Sequence, residues 1–142
     1  MRQDDAGEPP VRIDLAHARG VDARRVCDAS AYIFVAPENL GSLSGVMKDF
    51  FDRTYYGVLD RVAGRAYAVI IAAGSDGQGA ARQVERIATG WRLKAVAEPL
   101  IVITHAQTAQ TIQAAKRLPR HDLDRAGELG AALAQGLALG IY

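Results

Sequence analysis

Residues 31–53 read AYIFVAPENLGSLSGVMKDFFDR, and the order of properties within them decides the fold. Ala31–Ala36 is a continuous apolar run, β-branched and aromatic, which predicts a strand buried on both faces. Pro37 stops it. A polar, glycine-containing loop follows over Pro37–Ser44. Gly45–Tyr56 then gathers Val46, Met47, Phe50, Phe51 and Tyr55 into one wide apolar stripe, the pattern of an amphipathic helix. Ser44 is placed to cap its first amides. Asp49 and Arg53 are spaced for an i,i+4 ion pair on the outer face. Gly57 follows where a left-handed residue commonly ends a helix.

The same succession recurs downstream. Tyr67–Ala73 is a second buried strand, and Gly74–Gly79 (GSDGQG) a second glycine-rich loop. Ala80–Trp91 is a helix with Ala80, Val84, Ile87, Ala88 and Trp91 on one side. Leu100–Ile103 is a third buried strand, started after Pro99 and followed by a polar loop, Thr104–Thr111. The last helix is expected over Asp122–Leu139, with Leu123, Ala126, Gly130, Leu133 and Leu137 inward. Upstream, Val11–Leu15 alternates apolar and polar residues, the period of a strand with one covered face. Ala16–Asp28 reads as a connector with a helical turn at Asp22–Val26, and residues 1–10 as a disordered or remnant tail. Strand, loop and helix in repetition predict an α/β fold: a parallel sheet with helices on both faces. Ligands in such sheets sit beyond the carboxyl ends of the strands. Those ends are Ala36, Ala73 and Ile103, so the loops after them form the candidate site.

Composition narrows the chemistry. A chain of 142 residues is expected to form one domain over its whole length. Seventeen basic and sixteen acidic residues leave a net charge of +1, which gives no electrostatic case for nucleic acid or an anionic membrane. The single Cys27 excludes an internal disulfide and a Cys-cluster zinc site. With no signal-peptide pattern and no apolar run long enough to span a bilayer, the expectation is a cytoplasmic protein without a membrane partner. His17, His105 and His121 are far apart in sequence, so no metal site is expected. Gly41–Gly45 imitates a nucleophile elbow, but Leu43 stands at the apex. Gly74–Gly79 matches neither the dinucleotide fingerprint nor a Walker loop. What remains is two glycine-rich loops on strand ends. Glycine lets the main chain come close, and its N–H groups suit the carbonyls and nitrogens of a flat, polar-edged heterocycle. Plain βα turns without a ligand are the alternative.

At Pro37–Arg53 the sequence resembles the flavodoxin-like NAD(P)H-dependent FMN reductase and quinone reductase superfamily, which carries T-P-E-[YFN]-x-x-S-x-[PS]-G-x-[LM]-K-[ND]-x-[IFL]-D after its third strand. Pro37, Glu38, Ser42, Ser44, Gly45, Met47, Lys48, Asp49 and Asp52 occupy matching positions. Ala73–Gly79 resembles the loop after that family's fourth strand. The resemblance implies a flavodoxin-like three-layer αβα sandwich binding FMN. Pro37, Glu38, Asn39, Leu40, Gly41 and Ser42 would wrap one side of the isoalloxazine, and Gly74, Ser75, Asp76 and Gly77 would approach its pyrimidine edge. It implies hydride transfer from NAD(P)H through the flavin to a quinone, a nitro compound or another flavin. No side chain acts as acid or base, and a homo-oligomer is expected. The family begins with a strand, a Ser/Thr-rich loop that holds the FMN phosphate, and a first helix, whereas Val11–Leu15 matches its second strand. The expectation is therefore an N-terminally truncated sheet of about four strands. A misassigned start, direct pairing of Val11–Leu15 with Ala31–Ala36, or completion by a second subunit would each account for the gap, the first being preferred. A cofactor-free flavodoxin-like module is the other functional reading.

Overall fold

The computed structural model describes residues 11–142, so the tail expected over residues 1–10 lies outside the described residues. After a 3-10 turn at Ala18–Gly20 come α1 (Ala23–Asp28), β1 (Ala31–Asn39), β2 (Ser42–Leu43), α2 (Gly45–Val58), β3 (Ala66–Ala73), α3 (Gln78–Gly90), β4 (Lys94–Ala95), β5 (Leu100–Ile103), α4 (Ala109–Gln113) and α5 (Arg120–Ala138). β3 is the centre of the sheet. β1 lies along one side of it in parallel, from Ala31 opposite Ala66 to Pro37 opposite Ala72. On the other side β4 pairs with its start and β5 with its end, both parallel. The two-residue β2 folds back on β1 and supplies the antiparallel pairing.

One face of the sheet carries the main core. Tyr32, Phe34 and Ala36 of β1 and Tyr67, Val69, Ile71 and Ala73 of β3 pack under α2 and α3 with Met47, Phe50, Phe51, Val58, Val84, Ala88 and Trp91. Phe34 is the hub of the aromatic packing, with ring centroids 5.1 Å from Phe51, 5.7 Å from Tyr32 and 6.2 Å from Trp91. Such ring pairs contribute about 0.5–1.5 kcal/mol each beyond their buried area. α5 packs on β3 and β5, and Ala66, Ala68, Leu100, Val102 and Leu133 are buried outside the main core. The result is the expected mixed α/β, mostly parallel arrangement.

Several expectations are corrected. Val11–Leu15 is not a strand: the segment is irregular, with Ile13 and Leu15 exposed. Alternating apolarity makes a strand only where an edge and a covered face meet it. Here Arg12 pairs with Asp14 instead, and Arg53 holds the following turn on α2 through the carbonyls of Ala18 and Val21. β1 is buried on one face only, because among the described residues α5 covers β3 and β5 but not β1. Ile33 and Val35 are left 37% and 55% exposed. Pro37 does not end the strand; an edge position tolerates a residue without an N–H, and β1 runs on to Asn39. Ser44 occupies the N-cap of α2 but makes no capping bond with its side chain. Gly57 lies inside α2, where it admits the side chain of Ala23 from α1. In α5, Leu123 faces solvent, and Asp122, Leu133 and Gly136 are the buried positions. The Asp49–Arg53 pair forms as expected, at 2.7 Å.

The connector enters the sheet through a buried polar knot. The Tyr32 hydroxyl donates to the Val26 carbonyl at 2.7 Å. Arg65 donates to the carbonyls of Cys27 and Ala29, both at 2.6 Å, and to the Tyr32 oxygen at 3.2 Å. Burial raises the Tyr32 pKa above its ordinary value, with the Arg65 contact opposing. Folding therefore favours the neutral phenol. That stabilisation is complete below about pH 10 and is lost as pH rises through the raised folded value. Thermal melts from pH 8 to 11 should show the wild type losing stability more steeply than Tyr32→Phe at the alkaline end.

From Ala31 to Pro37, β1 has no strand partner on its outer side among the described residues. An unpaired edge beside exposed Ile33 and Val35 invites self-association. Val35→Lys is expected to reduce light scattering at high protein concentration while leaving the melting temperature within about 2 °C, a shift below ~0.5 kcal/mol.

Candidate functional site

The first loop is a two-residue hairpin. Asn39 pairs with Ser42 across the turn, and Leu40 and Gly41 both have positive φ, 54° and 71°. Two residues at positive φ suit the right-handed twist of the flanking strands. Glycine and asparagine adopt that conformation easily, whereas leucine does so at a cost of roughly 1–2 kcal/mol. The hairpin is nevertheless held firmly. The Gln83 amide oxygen on α3 accepts from the Leu43 N–H at 2.6 Å and from the Ser42 hydroxyl at 3.0 Å. Gly79 lies so close to the Gly41 carbonyl that an added Cβ would collide with it.

Glu38 locks the two loops together. One carboxylate oxygen accepts from the Gly77 N–H at 2.9 Å and the other from the Ala80 N–H at 3.1 Å. Gly77 is the N-cap of α3, held at φ 84° with no capping side chain of its own. Glu38 therefore supplies from another strand what an N-cap Asp or Ser supplies locally: an acceptor for the early orphan amides and a negative charge at the positive end of the helix. Gly77 also leaves no room for a Cβ, which would sit 2.6 Å from Ile101. The loop after β5 props the second loop from its far side. The Gly74 carbonyl accepts from the His105 N–H at 3.0 Å, and Thr104 donates its N–H to the Ala73 carbonyl at 2.7 Å.

The ten residues singled out from the sequence thus divide by role. Glu38 and Gly77 are internal struts, Gly77 being buried. Pro37, Asn39, Leu40, Gly41, Ser75 and Asp76 are exposed, and Gly74 and Ser42 half-buried, the Ser42 hydroxyl being engaged by Gln83. Gln83 and the His105 turn carry no signal in the sequence, because each acts through tertiary contact with residues more than thirty positions away.

Among the described residues, the amides of Leu40, Gly41, Ser75 and Asp76 donate to no main-chain acceptor. Four free N–H groups on two adjoined loops match a ring whose rim is rich in acceptors, such as the pyrimidine side of an isoalloxazine. The same loops contain Glu38 and Asp76 and no Lys or Arg. They suit the ring of FMN and offer nothing to its phosphate. Two surface recesses lie between α2 and α3 and between β5 and the start of α5. No metal-ligand cluster occurs among the described residues, and no helix there is long and apolar enough to cross a membrane.

Replacing Glu38 by Ala strands the Gly77 and Ala80 amides, and charge-assisted bonds contribute about 1.5–3 kcal/mol each. Urea unfolding should show Glu38→Ala less stable by about 2–4 kcal/mol, with Glu38→Gln intermediate because it keeps one acceptor.

Comparison with known proteins follows the same lines. The sequence model of a family described as NADPH-dependent FMN reductase matches residues 22–108. No curated protein matches the sequence. Among solved structures, a flavodoxin, WrbA-like protein from Agrobacterium tumefaciens superposes with a TM-score of 0.66 at 16% identity, covering 82% of this chain and 71% of that one. A flavodoxin from the domain Archaea gives 0.63 at 15% identity, over 83% and 72%. Rubredoxin oxygen:oxidoreductase from Desulfovibrio gigas gives 0.53 at 14% identity, over 79% of this chain and 23% of that one. These likenesses are of fold.

Proposed function

This chain belongs to the NADPH-dependent FMN reductase family, and from that premise we propose that it is a flavin-dependent oxidoreductase whose Pro37–Ser42 and Gly74–Gly77 loops hold the isoalloxazine of FMN. The reaction is NAD(P)H + H⁺ + quinone giving NAD(P)⁺ and hydroquinone, with a nitro compound or a second flavin as other acceptors. Bound FMN would supply the redox chemistry, taking the hydride and passing two electrons on.

The observation that carries this reading is the set of free amides at Leu40, Gly41, Ser75 and Asp76 on loops joined by Glu38. The residues of the chain orient rather than react. Leu40, Gly41, Ser75 and Asp76 would donate main-chain N–H groups to the ring carbonyls and nitrogens, aimed donors in place of water. Glu38 and Gln83 fix the spacing of the two loops. The loops' carboxylates and lack of cations favour a second reading, a flavodoxin-like module that holds no flavin.

Titration of the chain with FMN and with riboflavin, followed by flavin fluorescence, separates the two. If the loops hold the ring alone, both flavins bind with dissociation constants within about threefold, less than ~1 kcal/mol apart, and NADPH oxidation by a quinone appears with either. No binding of either flavin selects the second reading. FMN binding about a hundredfold tighter than riboflavin would mean a phosphate cradle in this chain.

A further inference from the structure

Leu40 has a side chain that the fold does not use. Four non-glycine residues among those described have positive φ: Leu40, Asp60, Arg92 and His105. Asp60 and Arg92 pair with each other at 3.1 Å, and the His105 N–H is bonded to the Gly74 carbonyl. Leu40 is the apolar one of the four and is fully exposed, at 105% of its reference area. Backbone strain and a wholly wet apolar side chain coincide there without a compensating contact. The hairpin around it is rigid, held by Gln83 and by the Gly41–Gly79 approach, so the side chain stands out as a fixed post. Its neighbours on the same turn are the free amides of Leu40 and Gly41.

We infer that the Leu40 side chain is the apolar contact for the ring of a hydrophobic electron acceptor, and so selects quinones over small polar oxidants. This rests on the proposed flavin site: an acceptor must meet the flavin, and Leu40 stands on the turn that would grip the flavin's rim. The electron balance is that of the reaction above, the quinone gaining a hydride and a proton to become hydroquinone. Leu40 takes no part in the transfer and positions the acceptor.

The test is Leu40→Asn, which keeps the turn, relieves the strain and removes the apolar contact. Flavin is first added to wild type and variant, and both are assayed with NADPH and either a naphthoquinone or ferricyanide. The ratio of kcat/KM for the naphthoquinone to that for ferricyanide should fall about tenfold, the worth of half-burying a leucine side chain, carried by KM. The variant should also melt at a higher temperature, because asparagine accepts the left-handed conformation. An unchanged ratio overturns the inference. So does a lower melting temperature, which would assign Leu40 to the fold, or an altered oligomeric state by sedimentation, which would assign it to a protein contact. Wild-type protein that takes up no flavin overturns the proposed function as well, and is recognised before any substitution is made.

Discussion

The carboxylate of Glu38 is the constraint on which the site end of this molecule depends. It closes β1 onto the start of α3, so two loops separated by more than thirty residues become one rigid rim. Both its oxygens are engaged by main-chain donors, and both donors belong to the first turn or cap of a helix. The arrangement answers two demands at once. The helix needs acceptors for amides that have no partner within it, and the strand end needs an anchor outside the sheet. A glycine at position 77 is required because the cap needs positive φ where a Cβ would strike Ile101. A glycine at 79 is required because the hairpin backbone passes directly over it.

Behind that rim the core is layered unevenly. Rings from β1, β3, α2 and the end of α3 crowd around Phe34, while the opposite face is thin: α5 packs on β3 and β5 there, with Leu133 buried and Gly136 covered by Tyr142. The uneven layers explain why β1 alternates buried and exposed residues although its sequence is apolar throughout. Two aromatic side chains point into the ring cluster, and Ile33 and Val35 point to a face that α5 does not reach. Arg65 and Tyr32 finish the lower end of that core by taking up the carbonyls left over where α1 stops.

The fold is legible in the sequence wherever local pattern and tertiary environment agree. β3 and β5 are apolar runs in a parallel sheet and are readable to within a residue, and the stripes of α2 and α3 place those helices to within two. Val11–Leu15 has strand periodicity without a place to dock, and periodicity says nothing about docking. Ser44 has the right identity and position for a cap, but buried at the helix start its hydroxyl makes no capping bond. The two loops are legible because glycines clustered after a strand end mark backbone that must turn tightly or admit a close neighbour. Their internal wiring is not: Glu38 is a loop acid, Gln83 one polar residue on a polar helix face, and their roles exist only once α3 lies beside β1.

Solvent protection is graded across this sheet. β3 is enclosed from both faces and both flanks, whereas β1 is enclosed on one face and one flank. Local opening would therefore begin along the outer side of β1. The hairpin at the end of that strand is nonetheless fastened to α3, which packs on the enclosed side, through Glu38 and Gln83. Breathing at the wet flank can loosen Ile33 and Val35 without releasing the rim, so the strand with the most open flank carries a tip tied to a helix of the enclosed side.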